Sequence, residues 1–156
     1  MKNSKIISFI ATKLPKKARK FYEETLGLKF VSEDAFAIVF EVGAEVEASN
    51  RVASSQGTVA GMGSGIMLRV QKVEDFTPAR HTVLGWEVAD IVAEVKRLSG
   101  SRAMLRDAAS AAKGVKFEIF PGMGQDDSGI WRSPSGARIA WFKDPDGNIL
   151  SLTQFK

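Results

Sequence analysis

Apolar and polar positions alternate between two periods along this chain. Lys5 to Thr12 is apolar and rich in β-favouring residues, which predicts a strand. Pro15 then suits the first turn of a helix, where its missing N–H is not needed. Ala18, Phe21, Tyr22, Thr25 and Leu26 fall on one face at helical spacing, and Gly27 is the stop signal. Leu28 to Ser32 and Phe36 to Val42 are predicted strands around the polar turn Glu33-Asp34. Ala44 to Gly65 is small and polar and predicts a long loop, after which Ile66 to Val73 alternates as a strand.

The same order then returns. Thr82 to Val88 predicts a strand, and Asp90 caps a helix whose apolar face is Ile91, Val95 and Leu98, with Gly100 as its breaker. Ser101 to Lys113 is alanine-rich and helix-prone. Val115 to Phe120 predicts a strand, and Pro121 to Gly136 a glycine- and aspartate-rich loop. Two apolar runs, Ile139 to Phe142 and Ile149 to Leu152, are folded together by Lys143-Asp144-Pro145-Asp146-Gly147-Asn148, a hairpin turn by composition.

The residues repeat as well as the elements. Gly27-Leu28-Lys29-Phe30-Val31 matches Gly114-Val115-Lys116-Phe117-Glu118 after the second helix, and Phe36 to Phe40 answers Arg138 to Phe142 in position. The expected fold class is therefore α+β, with two tandem βαβββ modules, one over about 5–73 and one over about 80–155. Together they form a single domain spanning 1–156. Their strands are expected to make a curved mixed sheet, helices on its convex face and a groove on its concave face.

Composition narrows the chemistry. With 156 residues and 44% hydrophobic content the chain can bury one good core. It has no cysteine, which excludes disulfides, thiolate zinc sites and a cysteine nucleophile. No run is long enough to span a membrane, the first residues lead into too short an apolar stretch for a secretory signal, and the expected location is cytoplasmic. The net charge of +4 has a cluster at Lys13, Lys16, Lys17, Arg19 and Lys20. Basic residues on the outer face of a helix are ordinarily just hydrated, so nucleic acid is not expected as a partner; an anionic small ligand is the milder inference. Gly122 to Gly129 opens no helix and has no lysine in a P-loop arrangement, so it is not a phosphate cradle.

The chain resembles the vicinal oxygen chelate superfamily of glyoxalases, bleomycin-resistance proteins and extradiol dioxygenases. Three stretches carry the resemblance: Ala18-Arg19-Lys20-Phe21-Tyr22-Glu23-Glu24-Thr25-Leu26-Gly27-Leu28, Trp86-Glu87-Val88-Ala89-Asp90-Ile91, and Asp144-Pro145-Asp146-Gly147-Asn148. It departs at 44–65 and 101–113. In catalytic members, the resemblance implies, a divalent metal sits in the groove on His, Glu or Gln from the first and last strand of each module. Counting from the motifs puts those positions here at Ile7, at Arg69 or Gln71, at Val83 and at Ser151. Isoleucine and valine have no lone pair and arginine repels a cation, so no metal site is expected.

Strand alternation puts Arg69, Gln71, His81, Glu87, Ser151 and Thr153 on the concave face, and Leu84, Trp86, Val88, Leu150 and Leu152 under the helices. Trp131 is placed to close over a ligand, since the glycines before it allow that loop to move; for Trp141 both faces remain open. His81 is the sole histidine and reads either as a general base at the groove mouth or, more simply, as a hydrated residue at a strand start.

Two functional classes follow. One is a metal-free module that binds a small, anionic ligand and needs no cofactor. The other is a glyoxalase-like lyase, isomerase or dioxygenase, which requires either a divalent metal or acid-base work by Glu87 and His81. The resemblance also implies a homodimer in which modules of different chains close each groove.

Overall fold

The structure, a computed structural model, describes residues 5–43, 66–100 and 114–156. The predicted loop at 44–65 and the alanine-rich stretch at 101–113 lie outside the described residues. In the first half, β1 (Ile7–Thr12), β2 (Lys29–Glu33), β3 (Ala37–Val42) and β4 (Ile66–Lys72) form a sheet of order β1-β4-β3-β2. Strands β5 (Thr82–Glu87), β6 (Ile130–Arg132), β7 (Arg138–Lys143) and β8 (Ile149–Gln154) repeat it as β5-β8-β7-β6. In each sheet the first strand runs parallel to the last and the other pairings are antiparallel. The architecture is thus two βαβββ modules with two four-stranded mixed sheets rather than one continuous sheet. No helix among the described residues is long and apolar enough to cross a membrane.

Helix α1 (Pro15–Lys20) has its proline in the first turn and continues as one wide π-helical turn over Phe21–Thr25, in which the Leu26 N–H reaches back to Phe21 O at 3.0 Å. Ala18 and Tyr22 are fully buried by this geometry. Helix α2 (Ile91–Leu98) starts at Asp90, whose carboxylate accepts from the Val92 and Ala93 N–H groups, and buries Ile91, Val95 and Leu98. Both helices and the inner faces of both sheets share one core that includes Ile10, Tyr22, Phe40, Leu68, Val95, Phe142 and Leu150.

The second module departs from the expected pattern at one strand. Val115 to Phe120 does not form a ladder: Phe117 makes one isolated bridge to Phe142, and the strand pairing with β7 is Ile130–Arg132, inside the stretch expected to be loop. The repeat explains the difference. Phe30 sits opposite Phe40 in the first module, and Phe117 opposite Phe142 in the second, with edge-on rings at 6.2 and 5.5 Å respectively. The second copy begins its edge strand at the matching phenylalanine, leaves as a loop and rejoins β7 at Ile130.

The β7–β8 turn ties the modules together. The Asp144 carboxylate accepts from the N–H groups of Asp146 and Asn148, and Gly147, at φ +91°, closes the turn. From that turn Asn148 Nδ2 donates to Ala11 O at 2.9 Å, and Asp146 accepts from Thr12 Oγ1 at 2.5 Å and from the Lys13 N–H at 2.8 Å. Tyr22 Oη donates to Asp144 Oδ2 at 2.9 Å. Residues far apart in sequence are thus joined by polar contacts, of which Tyr22–Asp144 is buried, as well as by the apolar core.

Candidate functional site

Because both sheets give their inner faces to one core, their other faces point away from it. On the first sheet this outer face carries Ile7, Phe9 and Ala11 of β1, Met67, Arg69 and Gln71 of β4, and Val39 and Glu41 of β3, as the strand register shows. On the second it carries Gly85, Ser151 and Trp141 in one row and Glu87, Thr153, Ile139 in the next, with Trp131 opposite Ile139. Ile7 is 45% exposed and Phe9 60%, unusual for apolar residues in a sheet.

A recess in this outer surface lies at the start of β5. Thr82, Trp141, Ile149, Phe120 and Met123 line a pocket of about 200 Å³, with Arg80 and His81 at its rim. Trp141 Nε1 donates to Thr82 Oγ1 at 3.0 Å, which fixes the indole plane. Phe120 meets that indole edge-on at 5.7 Å, and the Trp131 ring lies 6.0 Å from it, tilted. An apolar cup with fixed aromatic walls and one arginine at its rim suits a flat, anionic molecule.

The loop between Phe117 and Ile130 forms one wall and is held by its own polar groups. Gln125 Nε2 donates to Glu118 O and Gly129 O at 2.9 and 2.7 Å, and Gln125 Oε1 accepts from the Phe120 N–H at 2.7 Å. Asp126 Oδ1 accepts from Ser128 and from the Ile130 N–H. Burial works against ionisation of Asp126, but the Ser128 hydroxyl and those N–H groups hold its carboxyl below the usual range. The mobility expected from the loop's glycines is thereby restrained by a glutamine and an aspartate.

The groove residues read from the sequence divide between places. Arg69 and Gln71 lie on the first sheet's outer face, Arg69 half-buried and Gln71 exposed. Ser151 and Thr153 lie on the second, where Ser151 Oγ comes so close over Gly85 that a Cβ there would stand 2.5 Å from it. His81 joins the aromatic pocket. Glu87 instead borders a separate recess of about 140 Å³ between the modules, lined by Leu26, Leu28, Trp86 and Leu98. The two ends of β5 separate His81 from Glu87 by roughly 20 Å at strand rise. Trp141 faces outward, which alternation alone left open, while Trp86 packs on the core with its ring stacked on Phe142 at 6.5 Å. Arg80, Thr82, Phe120, Met123 and Glu41 escaped the sequence reading. Only the β3–β4 pairing brings Glu41 to this face, and only the loop path brings in Phe120 and Met123.

Register also resolves one position for a metal. Gly85 follows Val83 by two residues and lies opposite Ser151; Phe9 follows Ile7 by two and lies opposite Arg69. Arg69 rather than Gln71 is therefore the counterpart of Ser151. The set Ile7, Arg69, Val83 and Ser151 offers a metal one hydroxyl, two hydrocarbons and a positive charge, and does not fit a divalent cation. Among the described residues no three His, Cys, Asp or Glu side chains cluster as a metal site.

The family described as the glyoxalase/bleomycin resistance protein/dioxygenase superfamily matches residues 7–152 of this chain. Solved structures of similar fold include a glyoxalase family protein from Bacillus anthracis, 14% identical, with TM-score 0.62 over 99% of this chain and 96% of that one. A member of the same superfamily from Sphaerobacter thermophilus is 19% identical, with TM-score 0.61 over 97% of both chains. A lactoylglutathione lyase from Agrobacterium tumefaciens is 12% identical, with TM-score 0.59 over 97% of this chain and 93% of that one. At these identities the likeness is one of fold. A comparison with curated proteins finds no match.

Proposed function

The chain belongs to the glyoxalase/bleomycin resistance protein/dioxygenase superfamily, and on that premise we propose that it is a cytoplasmic protein that binds a flat, anionic small molecule without a metal. The observation that carries this reading is the pocket in which Phe120, Met123, Thr82 and Trp141 meet, with Arg80 and His81 at its rim. The aromatic walls supply contact area to a planar ring, and the guanidinium at the mouth supplies an attraction for a carboxylate or phosphate. A drug of the cationic kind is disfavoured by the same rim and by the net charge of +4.

The metal-dependent alternative lacks ligands at the positions where the resemblance implies them. Its metal-free form, with Glu87 and His81 sharing acid-base work, requires two groups within hydrogen-bond reach of one substrate, and they border different recesses. We further propose that the protein is a homodimer. The outward faces of the two modules in one chain cannot close on each other around a common core, and Ile7, Phe9 and Val83 are the exposed apolar residues a second chain would cover.

Tryptophan fluorescence tests the reading, because Trp141 lines the pocket and the Trp131 ring lies 6.0 Å from that of Trp141. Titration with 2-naphthoate is expected to quench saturably in protein shown by elemental analysis to be free of transition metal. One tightly held metal per chain, or no saturable response to planar carboxylates, would overturn it.

A further inference from the structure

The recess between the modules that Glu87 borders has a volume of about 140 Å³. Leu26 and Leu28 wall it from the first module, and Trp86 of β5 and Leu98 of α2 from the second. Strand β5 is an edge strand, and both its inward-facing Trp86 and its last residue, Glu87, border the same space. An apolar space of about 150 Å³ inside a protein takes up a benzene ring, so this recess has room for one six-membered ring. Water is held poorly against such walls, because a bound water needs several polar partners and these are hydrocarbon and indole.

Three charged residues border the recess, Glu87, Glu94 and Arg97, and two of them are engaged with each other. Arg97 Nε donates to both Glu94 oxygens at 3.0 Å, and Arg97 Nη1 donates to Thr25 O at 3.2 Å, which ties α2 to the first module. Glu87 is exposed, and among the described residues its carboxylate has neither a hydrogen bond nor an ion-pair partner. Two negative charges and one positive leave the lining with one net negative charge. It resides on a carboxylate that solvent, and therefore a ligand, can reach.

We propose that this recess is a binding site for a small organic amine with one six-membered ring, the ring lying against Leu26, Leu28 and Trp86 and the ammonium pairing with Glu87. A carboxylate-bearing ligand is disfavoured, since Glu87 repels it and the Arg97 guanidinium is already engaged. A divalent cation is disfavoured too, because one free carboxylate among hydrocarbon walls does not supply a shell of oxygen ligands. A neutral ring fills the space and forgoes the ion pair. The occupant touches both modules, so it binds only the folded chain. The site prefers the charge opposite to that of the pocket at Trp141 and does not depend on that pocket.

Amide-resolved NMR titration of the full chain tests it with benzylammonium as the probe, benzyl alcohol as the ring without the charge, and methylammonium as the charge without the ring. Benzylammonium is expected to shift the amides of Leu26, Leu28, Glu87 and Leu98 saturably and to bind at least threefold more tightly than either control. Glu87→Gln is expected to bring benzylammonium down to the affinity of benzyl alcohol, with unchanged circular dichroism. Leu28→Phe, which fills the recess, is expected to weaken both ring ligands several-fold. No saturable shift at these amides, equal affinity for benzylammonium and benzyl alcohol, or an unchanged preference in Glu87→Gln would overturn the proposal. Benzoate is expected to leave these amides unmoved, so a failure here is distinguishable from a failure of the anion pocket at Trp141.

Discussion

The Tyr22 hydroxyl donates to Asp144 Oδ2 at 2.9 Å, joining the first helix of one module to the last turn of the other. Tyr22 is fully buried, and Asp144 is also inaccessible, with Asn148 Nδ2 as a second donor to the same oxygen at 2.8 Å. Tyr22→Phe keeps the ring in the core and withdraws the donor. The expected cost is about 1–3 kcal/mol of stability, read by urea denaturation. An unchanged midpoint would mean that the contact contributes nothing net to holding the modules together.

The same aspartate sets a pH dependence with a defined sign. Burial pushes the Asp144 carboxyl above the usual carboxylate range, against hydrogen bonds from Asn148 and Tyr22 that pull it down. A carboxyl raised in the folded state contributes stability that is full below its unfolded pKa and is lost as pH rises through the folded value. Asp34 has the opposite sign: its carboxyl accepts from the Ala37 and Phe36 N–H groups and is held low, so its contribution is present above the unfolded value and lost as pH falls. Carboxyl-detected NMR titration is expected to find Asp144 ionising at higher pH than Asp34, and the reverse order would contradict the burial argument.

The repeat of aromatic pairs makes a comparative prediction. Phe117 is 8% exposed and meets Phe142 edge-on, so Phe117→Ala should cost about 3–5 kcal/mol as a large-to-small core change. Phe30→Ala, at the matching but only partly buried position beside Phe40, should cost less. Thermal denaturation of both variants checks the order.

Gln125 is expected to control the wall of the aromatic pocket. Its amide joins Phe120, Glu118 and Gly129 across the loop, so Gln125→Ala leaves three backbone groups to find water. Hydrogen exchange of residues 118–129 should quicken at least tenfold while α2 keeps its protection. Uniform loss of protection would show instead that the loop folds as one unit with the core.

Thr82→Val isolates the bond that orients Trp141. The side chain keeps nearly the same volume and loses the acceptor for Trp141 Nε1. Quenching by 2-naphthoate should then require several-fold higher ligand concentration, and Trp141→Ala should abolish the response at that site. Wild-type affinity in Thr82→Val would remove the fixed indole from the account.

The alternation of Ile66 to Gln71 and of Ile149 to Thr153 was enough to put Arg69, Gln71, Ser151 and Thr153 on the face away from the helices, because period-two side chains leave only two choices once one face is apolar. Ala37 to Val42 was not legible in this way. It is buried along five successive residues, so nothing in its own pattern separates Glu41 from the core residues beside it. Nor did Val115 to Phe120 disclose its fate, since its apolar content suits a full strand and only one residue bridges to β7.

Legible in the chain were strand, helix and three strands in the first half, strand, helix and the last two strands in the second, the repeated phenylalanine at 30 and 117, the helix limits and the turn at Asp144 to Asn148. These depend on local periodicity, capping and turn chemistry, which act between residues close in the chain. Tertiary structure alone decided that the helices share one core, that Glu41 and Arg69 stand diagonally across two strands, and that a loop brings Phe120 and Met123 to Trp141. Those are contacts between distant residues, and strand register, which no single strand carries in its own pattern, is what sets them.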